Sequence, residues 1–271
     1  MGPQQPNALL ENPNQLNLVC VARYERLIKA NIARVWENVR DWEHLPWLHS
    51  TSFDFVSLDT EGDWGWRTWS SPTHNAHVEL CIDLPQQRYV ARSYRNQTQI
   101  SEIWTTLTES GENTQILVEF QVPNVSPQDQ NKVGQLFLDL YQTLWDEDEA
   151  MMQARQLQLT PSAPGPASAN LGSAATFKQS LPRLVKIRSQ TFRISLVADE
   201  PVVYSTTCPH LLGPLSEADS LTGEVSCPWH GYRFDVFTGA CLAPATAKCR
   251  LRLAPSLRLD PVSGDMLLGD E

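Results

Sequence analysis

Cys208, His210, Cys227 and His230 stand in the order C-x-H, then C-x-x-H, on two short segments, TTCPHLLGPL and SCPWHGYRFDVFTG, with 16 positions between the pairs. A chain with this pattern must fold so that the two segments meet, because two thiolates and two imidazoles together make one metal site. The set suits a two-iron, two-sulfide cluster in which the cysteines hold one iron and the histidines the other. Two Cys and two His can also close a zinc tetrahedron. The Pro after each Cys, Gly213 and the run HGYRFD are context that zinc does not require.

With those neighbours the pattern resembles the Rieske family closely. The resemblance implies a [2Fe-2S] cluster bound by Cys208, His210, Cys227 and His230. High-potential members carry a second cysteine in each loop, joined as a disulfide, and Ser and Tyr hydroxyls that hydrogen-bond the cluster. Gly213 and Trp229 stand where those cysteines would be, and Tyr232 and Phe234 replace the hydroxyl donors. Fewer donors favour the oxidised state, so the resemblance implies a low potential, that of a ferredoxin or oxygenase centre.

At 271 residues and 41 % hydrophobic, the chain is long enough for two modest domains. No stretch is apolar for long enough to span a bilayer, and the start MGPQQPNALLENPNQ has neither a basic head nor an apolar signal core, so the expected compartment is the cytoplasm. A net charge of -10 with no basic cluster argues against nucleic acid and against an anionic membrane surface as partners. Cys20 and Cys81 sit in apolar runs and Cys241 and Cys249 follow the cluster motif, so no disulfide framework is expected.

Leu159 to Phe177, LTPSAPGPASANLGSAATF, is rich in Pro, Ala, Ser and Gly and reads as a linker, placed at 160–176. Beyond it, 177–271 carries short strand-like runs (RLVKIR, TFRISLVA, PVVYST) broken by turn residues: a small β domain. Before it, a strand-like LNLVCVARYERLIKA leads to a helix capped at Asn31 with Ile32, Val35, Trp36 and Val39 on one side, ended by Pro46. Alternating segments follow (DWGWRTWS, HVELCIDL, QRYVARSY, ISEIWTTLT, TQILVEFQV), as in an antiparallel meander, then a long helix opened by Ser126-Pro127. This order, over residues 16–159, resembles the START and polyketide-cyclase-like (SRPBCC-like) helix-grip superfamily, whose curved sheet wraps a long helix around an apolar cavity. The expected fold class is α+β, a helix-grip domain followed by an all-β Rieske domain.

Between the first helix and the meander, Asn38, Asp41, His44 and His49 are spaced N-x-x-D-x-x-H-x-x-x-x-H. This resembles the catalytic domain of Rieske non-haem iron oxygenases, itself a helix-grip fold, in which the two histidines ligate a mononuclear Fe(II) and a carboxylate on the last helix completes the set. On the long helix, Val133, Phe137, Leu140, Tyr141, Leu144, Asp148, Met151 and Arg155 follow spacings of three and four, which puts Asp148 in the apolar stripe and Asp146 opposite. A buried carboxylate needs a compensating charge, and a ferrous ion would provide one. Two histidines and one carboxylate leave open positions for dioxygen. His49 could equally be an ordinary cavity residue and His44 an exposed one. His74 and His77 form a further H-x-x-H pair at a turn, where the spacing reads as accidental, and Trp64 and Trp66 share a strand face that packs a core or lines a pocket.

The resemblance implies an oxygenase that hydroxylates or demethylates a small apolar or aromatic substrate with O2. Asp41 would not ligate iron but would bridge His44 to His230, and Asn38 belongs to the same motif. No dinucleotide fingerprint is present, so a separate NAD(P)H-dependent reductase, directly or through a ferredoxin, is implied. In the family the electron path usually runs between subunits of a trimer, which implies a homotrimer. Here the domain order is reversed, and a linker of about 17 residues, spanning roughly 20 to 25 Å, permits a cis or a trans pairing. The alternative reading is a Rieske ferredoxin-like electron carrier or redox sensor fused to a helix-grip ligand-binding domain without mononuclear iron.

Overall fold

The computed structural model describes residues 16–161 and 163–269, and the N-terminal segment read above for a leader lies outside them. The chain divides into two compact units between Gln156 and Leu157.

In the first unit, strands β1 (Leu18–Ile28), β2 (Ser57–Gly62), β3 (Gly65–Trp69), β4 (Ala76–Asp83), β5 (Arg88–Arg95), β6 (Thr98–Ser110) and β7 (Asn113–Pro123) form one antiparallel sheet in the order β1-β7-β6-β5-β4-β3-β2. Helices α1 (Ile32–Arg40) and α2 (Leu45–Leu48) lie between β1 and β2, and the long α3 (Gln130–Leu159) follows β7. This is a helix-grip fold. Strict alternation along β7 buries Thr114, Ile116, Val118 and Phe120 on the helix side. The Phe120 ring stacks on Phe137 at 5.1 Å and meets Tyr141 edge-on at 4.7 Å, joining sheet to α3. A glycine lets the helix settle: a Cβ at Gly134 would lie 2.5 Å from the Val21 carbonyl oxygen, so a side chain there would push α3 off β1.

Asn31 caps α1 as expected, its Oδ1 accepting from Arg34 N at 3.0 Å. The helix stops at Asp41, whose N–H turns back to the Asn38 carbonyl. Pro46 therefore does not end it; Pro46 sits in the first turn of α2, where its missing N–H costs nothing. Likewise Ser126 heads a turn, its Oγ donating to Asp129, and regular helix begins at Gln130. Strand β2 was not expected from the sequence: SLDTEG is polar and almost wholly exposed, an edge strand with no apolar face.

Among its described residues the second unit contains three three-stranded sheets: β11-β10-β9, β12-β13-β14 and β15-β16-β8. Their strands are β8 (Ser168–Ser173), β9 (Arg183–Ile187), β10 (Gln190–Val197), β11 (Glu200–Ser205), β12 (Glu224–Ser226), β13 (Arg233–Asp235), β14 (Cys241–Ala243), β15 (Ser256–Leu259) and β16 (Asp265–Gly269), with a short α4 (Ala174–Phe177) after β8. The core gathers Leu171, Phe177, Val185, Ile187, Phe192, Ile194 and Leu268. This corrects the expected flexible linker at 160–176: Ser168–Ser173 pairs with β16 and buries Leu171, so the domain begins before 177. The small residues of SANLGS hid a strand whose one apolar anchor is that leucine. No helix among the described residues is long and apolar enough to cross a membrane.

Candidate metal centres

In the C-terminal unit, Cys208 and His210 lie on the loop between β11 and β12, Cys227 and His230 on the loop between β12 and β13. Each loop is a tight turn closed on its cysteine. Leu212 N donates to Cys208 O, and Gly231 N to Cys227 O, with Leu212 at φ 66° and Gly231 at φ 65°. The four side chains converge. The two buried thiols are within hydrogen-bonding reach of each other, and the His210 and His230 rings lie 4.7 Å apart at 85°. The hydrogen bond from Cys208, helped by His230 against the cost of burial, pushes the Cys227 thiol down, while the Cys208 thiol that donates it is pushed up. Two thiolates this close repel unless a cation lies between them, so the donor chemistry fits an iron–sulfur cluster.

Tyr232 stacks on His210 at 4.2 Å and 9°. A Cβ on Gly213 would fall 2.7 Å from the Trp229 ring and 2.8 Å from Cys227 Sγ. The two positions at which the resemblance places a disulfide in high-potential proteins are thus in contact here, as glycine and tryptophan, and all six cysteines are free.

In the N-terminal unit, α2 sets the spacing of the other histidines. His44 is its N-cap and His49 its C-cap, and their rings lie 5.0 Å apart. Both present Nε2 to one oxygen of Asp148, on α3: Oδ1 is 3.5 Å from His44 and 3.1 Å from His49. Asn38 Nδ2 donates to the same oxygen at 2.9 Å. Behind the rings stand two more carboxylates, Glu147 at 2.6 Å from His49 Nδ1 and Asp41 at 3.7 Å from His44 Nδ1. His44, His49 and Asp148 are all buried, and one ligand atom from each lies within 4.8 Å of the others.

Burial favours the neutral acid at Asp148, but the His49 hydrogen bond, the two imidazoles and Asn38 outweigh it and hold the carboxyl below its ordinary range. Burial likewise opposes charge on His49, and Asp148 and Glu147 together raise it nonetheless. The site opens onto a cavity of about 260 Å³ whose walls include Trp66, Leu80, Tyr89, Ile103, Phe137 and Tyr141.

The structure therefore brings Asn38, Asp41, His44, His49 and Asp148 together. Asp146 faces outward and pairs with Arg26 at 2.6 Å. His74 and His77 do not converge on a site; one stacks on Trp69 at 4.7 Å and the other on Tyr94 at 4.4 Å. Of the tryptophan pair, Trp66 lines the cavity and Trp64 does not. Sequence reasoning missed Glu147 as the partner of His49. The direction of one residue on a helix does not reveal what meets its neighbour.

Residues 170–257 match the Rieske [2Fe-2S] domain. The C-terminal unit is accordingly a Rieske domain, a module of iron–sulfur electron transfer, which implies a [2Fe-2S] cluster. No curated protein matches the chain. Among solved structures it is similar to the ferredoxin of carbazole 1,9a-dioxygenase from Nocardioides aromaticivorans, at 23 % identity over 41 % of this chain and 100 % of that one, with a TM-score of 0.30. A Thermus thermophilus protein is similar at 18 % identity over 49 % of this chain and 97 % of that one (TM-score 0.39). A Streptomyces aromatase/cyclase is similar at 12 % over 52 % and 96 % (TM-score 0.37).

Proposed function

We propose that the chain is an oxygenase whose helix-grip domain holds a mononuclear ferrous ion on His44, His49 and Asp148, and whose Rieske domain relays electrons to it. One observation carries this reading: two buried imidazoles turn Nε2 toward a single buried carboxylate oxygen, each with a second carboxylate behind Nδ1. Carboxylate behind histidine is how metal-binding imidazoles are commonly fixed in tautomer and direction. Two nitrogens and one oxygen on one side leave the other side of a metal open.

A ferrous ion in this place supplies dioxygen activation, and the cluster supplies electrons singly. The chain's own residues prepare the ground. Glu147 holds His49 and Asn38 holds Asp148 by hydrogen bonds, Asp41 stands 3.7 Å from His44 Nδ1, and the apolar walls exclude water from whatever substrate enters. Asp41, beside His44, would steady that ligand from the Nδ1 side. Electrons come from a separate NAD(P)H-dependent reductase, directly or through a ferredoxin, and the substrate is a small molecule oxidised with O2.

The same hydrogen bonds would satisfy Asp148 without a metal, which favours the rival reading of an electron carrier fused to a ligand-binding domain. Iron and acid-labile sulfide, measured on anaerobically purified and ferrous-reconstituted protein, separate the two. About three irons to two sulfides is the expected result. His49→Ala should then lose one iron and keep the cluster spectrum; two irons to two sulfides in the parent protein overturns the oxygenase.

A further inference from the structure

The cavity beside the histidines is at the small end for a ligand site. Its 260 Å³ falls just below the roughly 300–1,000 Å³ of pockets for drug-sized molecules. Its lining contains neither Lys nor Arg. The ionisable groups that face it are Asp41, Asp148, His44, His49 and the phenols of Tyr89 and Tyr141. Burial raises both phenols above their ordinary value. An anionic ligand would meet two carboxylates and, on the basic side, only the His44 and His49 imidazoles, both of which already face Asp148. A cationic ligand would leave water for apolar walls where Asp148 is already taken by Asn38, His44 and His49.

Polar contacts for a neutral ligand are nevertheless built in. Ser93 and Ser101 face each other directly across β5 and β6, and both line the cavity. Their neighbours on that face, Ala91 and Ile103, are apolar and also line it. Serine contributes little to packing on a strand, and here two serines occupy paired register positions beside the apolar Ala91 and Ile103 pair. Ser93 lies four residues from Tyr89, about 13 Å along the strand. The cavity thus has phenols near Asp148 and a hydroxyl pair apart from them.

We propose that the cavity takes a neutral one- or two-ring molecule bearing a hydroxyl or carbonyl oxygen, positioned by the Ser93 and Ser101 hydroxyls, and discriminates against anionic or cationic counterparts. As a statement about substrate it rests on the oxygenase reading; as a statement about binding it does not.

The test is calorimetric titration of the full chain with naphthol, naphthoate, naphthylmethylammonium and naphthalene at neutral pH, with and without added ferrous iron under anaerobic conditions. Naphthol should bind at least about tenfold more tightly than either ion in the iron-free protein. The double variant Ser93→Ala, Ser101→Ala should weaken naphthol by about five- to tenfold and leave naphthalene unchanged, which also shows that the variant is folded. Naphthoate or the ammonium binding as tightly as naphthol, no binding of any probe, or a double variant that binds naphthol normally would each overturn the inference. If iron analysis finds no mononuclear iron while naphthol keeps its selectivity, the oxygenase reading fails and this one stands.

Discussion

Replacing Glu147 by Gln removes a charge from behind one histidine and keeps a hydrogen-bonding side chain of the same size. His49 Nδ1 lies 2.6 Å from the carboxylate, and the imidazole is 2 % exposed while the carboxylate is 31 % exposed. A hydrogen bond to a charged group contributes about 1.5–3 kcal/mol and a neutral one about 0.5–1.5 kcal/mol. Water reaches the glutamate side, so the lower part of that difference applies, about 1 kcal/mol. If His49 is a metal ligand, the variant should bind ferrous iron at the mononuclear site roughly fivefold more weakly. Outer-shell carboxylates elsewhere are worth about 10–100-fold, which sets the upper bound. The assay is anaerobic titration against a competing chelator, with cluster absorbance as an internal control and Asp148→Asn, which should lose more than about 100-fold, as the reference for losing a ligand. A Glu147→Gln protein with wild-type iron affinity would show that His49 is not held for metal binding.

Other consequences follow from the geometry. Gly213→Ala places a carbon under 3 Å from Cys227 Sγ and from the Trp229 ring; overpacking of this kind costs about 1–3 kcal/mol, and it should shorten the lifetime of the visible cluster spectrum and lower the Rieske-domain melting temperature. The antiparallel bridge between Ala240 and Arg250 sets Cys241 opposite Cys249, and their thiols are within hydrogen-bonding reach. Diamide should therefore join them in a disulfide, seen as one linked peptide in mass spectrometry of the unreduced protein, while Cys241→Ser should leave no such peptide. Burial and the Glu79 carboxylate push the Cys81 thiol up to about 12, so at pH 8 it should resist iodoacetamide while the exposed Cys20 is modified, and raising the pH should increase Cys81 labelling.

What could be read from the sequence was what strong local chemistry or a long period dictates. The C-x-H and C-x-x-H loops are self-announcing because each ligand pair lies within one turn, and Asn31 is visible as a cap because its own side chain closes the turn. The meander was legible wherever one face is buried, as in β7, and illegible in β2, where neither face is. Asp148 stood out because a carboxylate interrupts an apolar stripe. Tyr89, Ser93 and Ser101 did not, since the sequence shows that they alternate with neighbours but not that their face borders a cavity. Pro46 misled for a definite reason: the residue that forbids helix before it also favours the first turn of a new one, and that new turn sets the distance between His44 and His49.

Asn38 offers a way to ask which positive charge Asp148 is waiting for. Without metal, Asp148 relies on Asn38, His44 and His49, and Asn38→Ala takes away a hydrogen bond to a buried carboxylate, about 2 kcal/mol. In a domain of this size that should lower the first unit's melting temperature by several degrees, at about 2–4 °C per kcal/mol. A bound cation compensates the same carboxylate far more strongly than one amide does. Saturating ferrous iron should therefore raise the melting temperature of both proteins and narrow the gap between them, because the amide stabilises less when the metal carries the charge. A gap of equal width with and without iron, measured anaerobically, would mean that the carboxylate is already satisfied by its imidazoles and that no metal ion uses it.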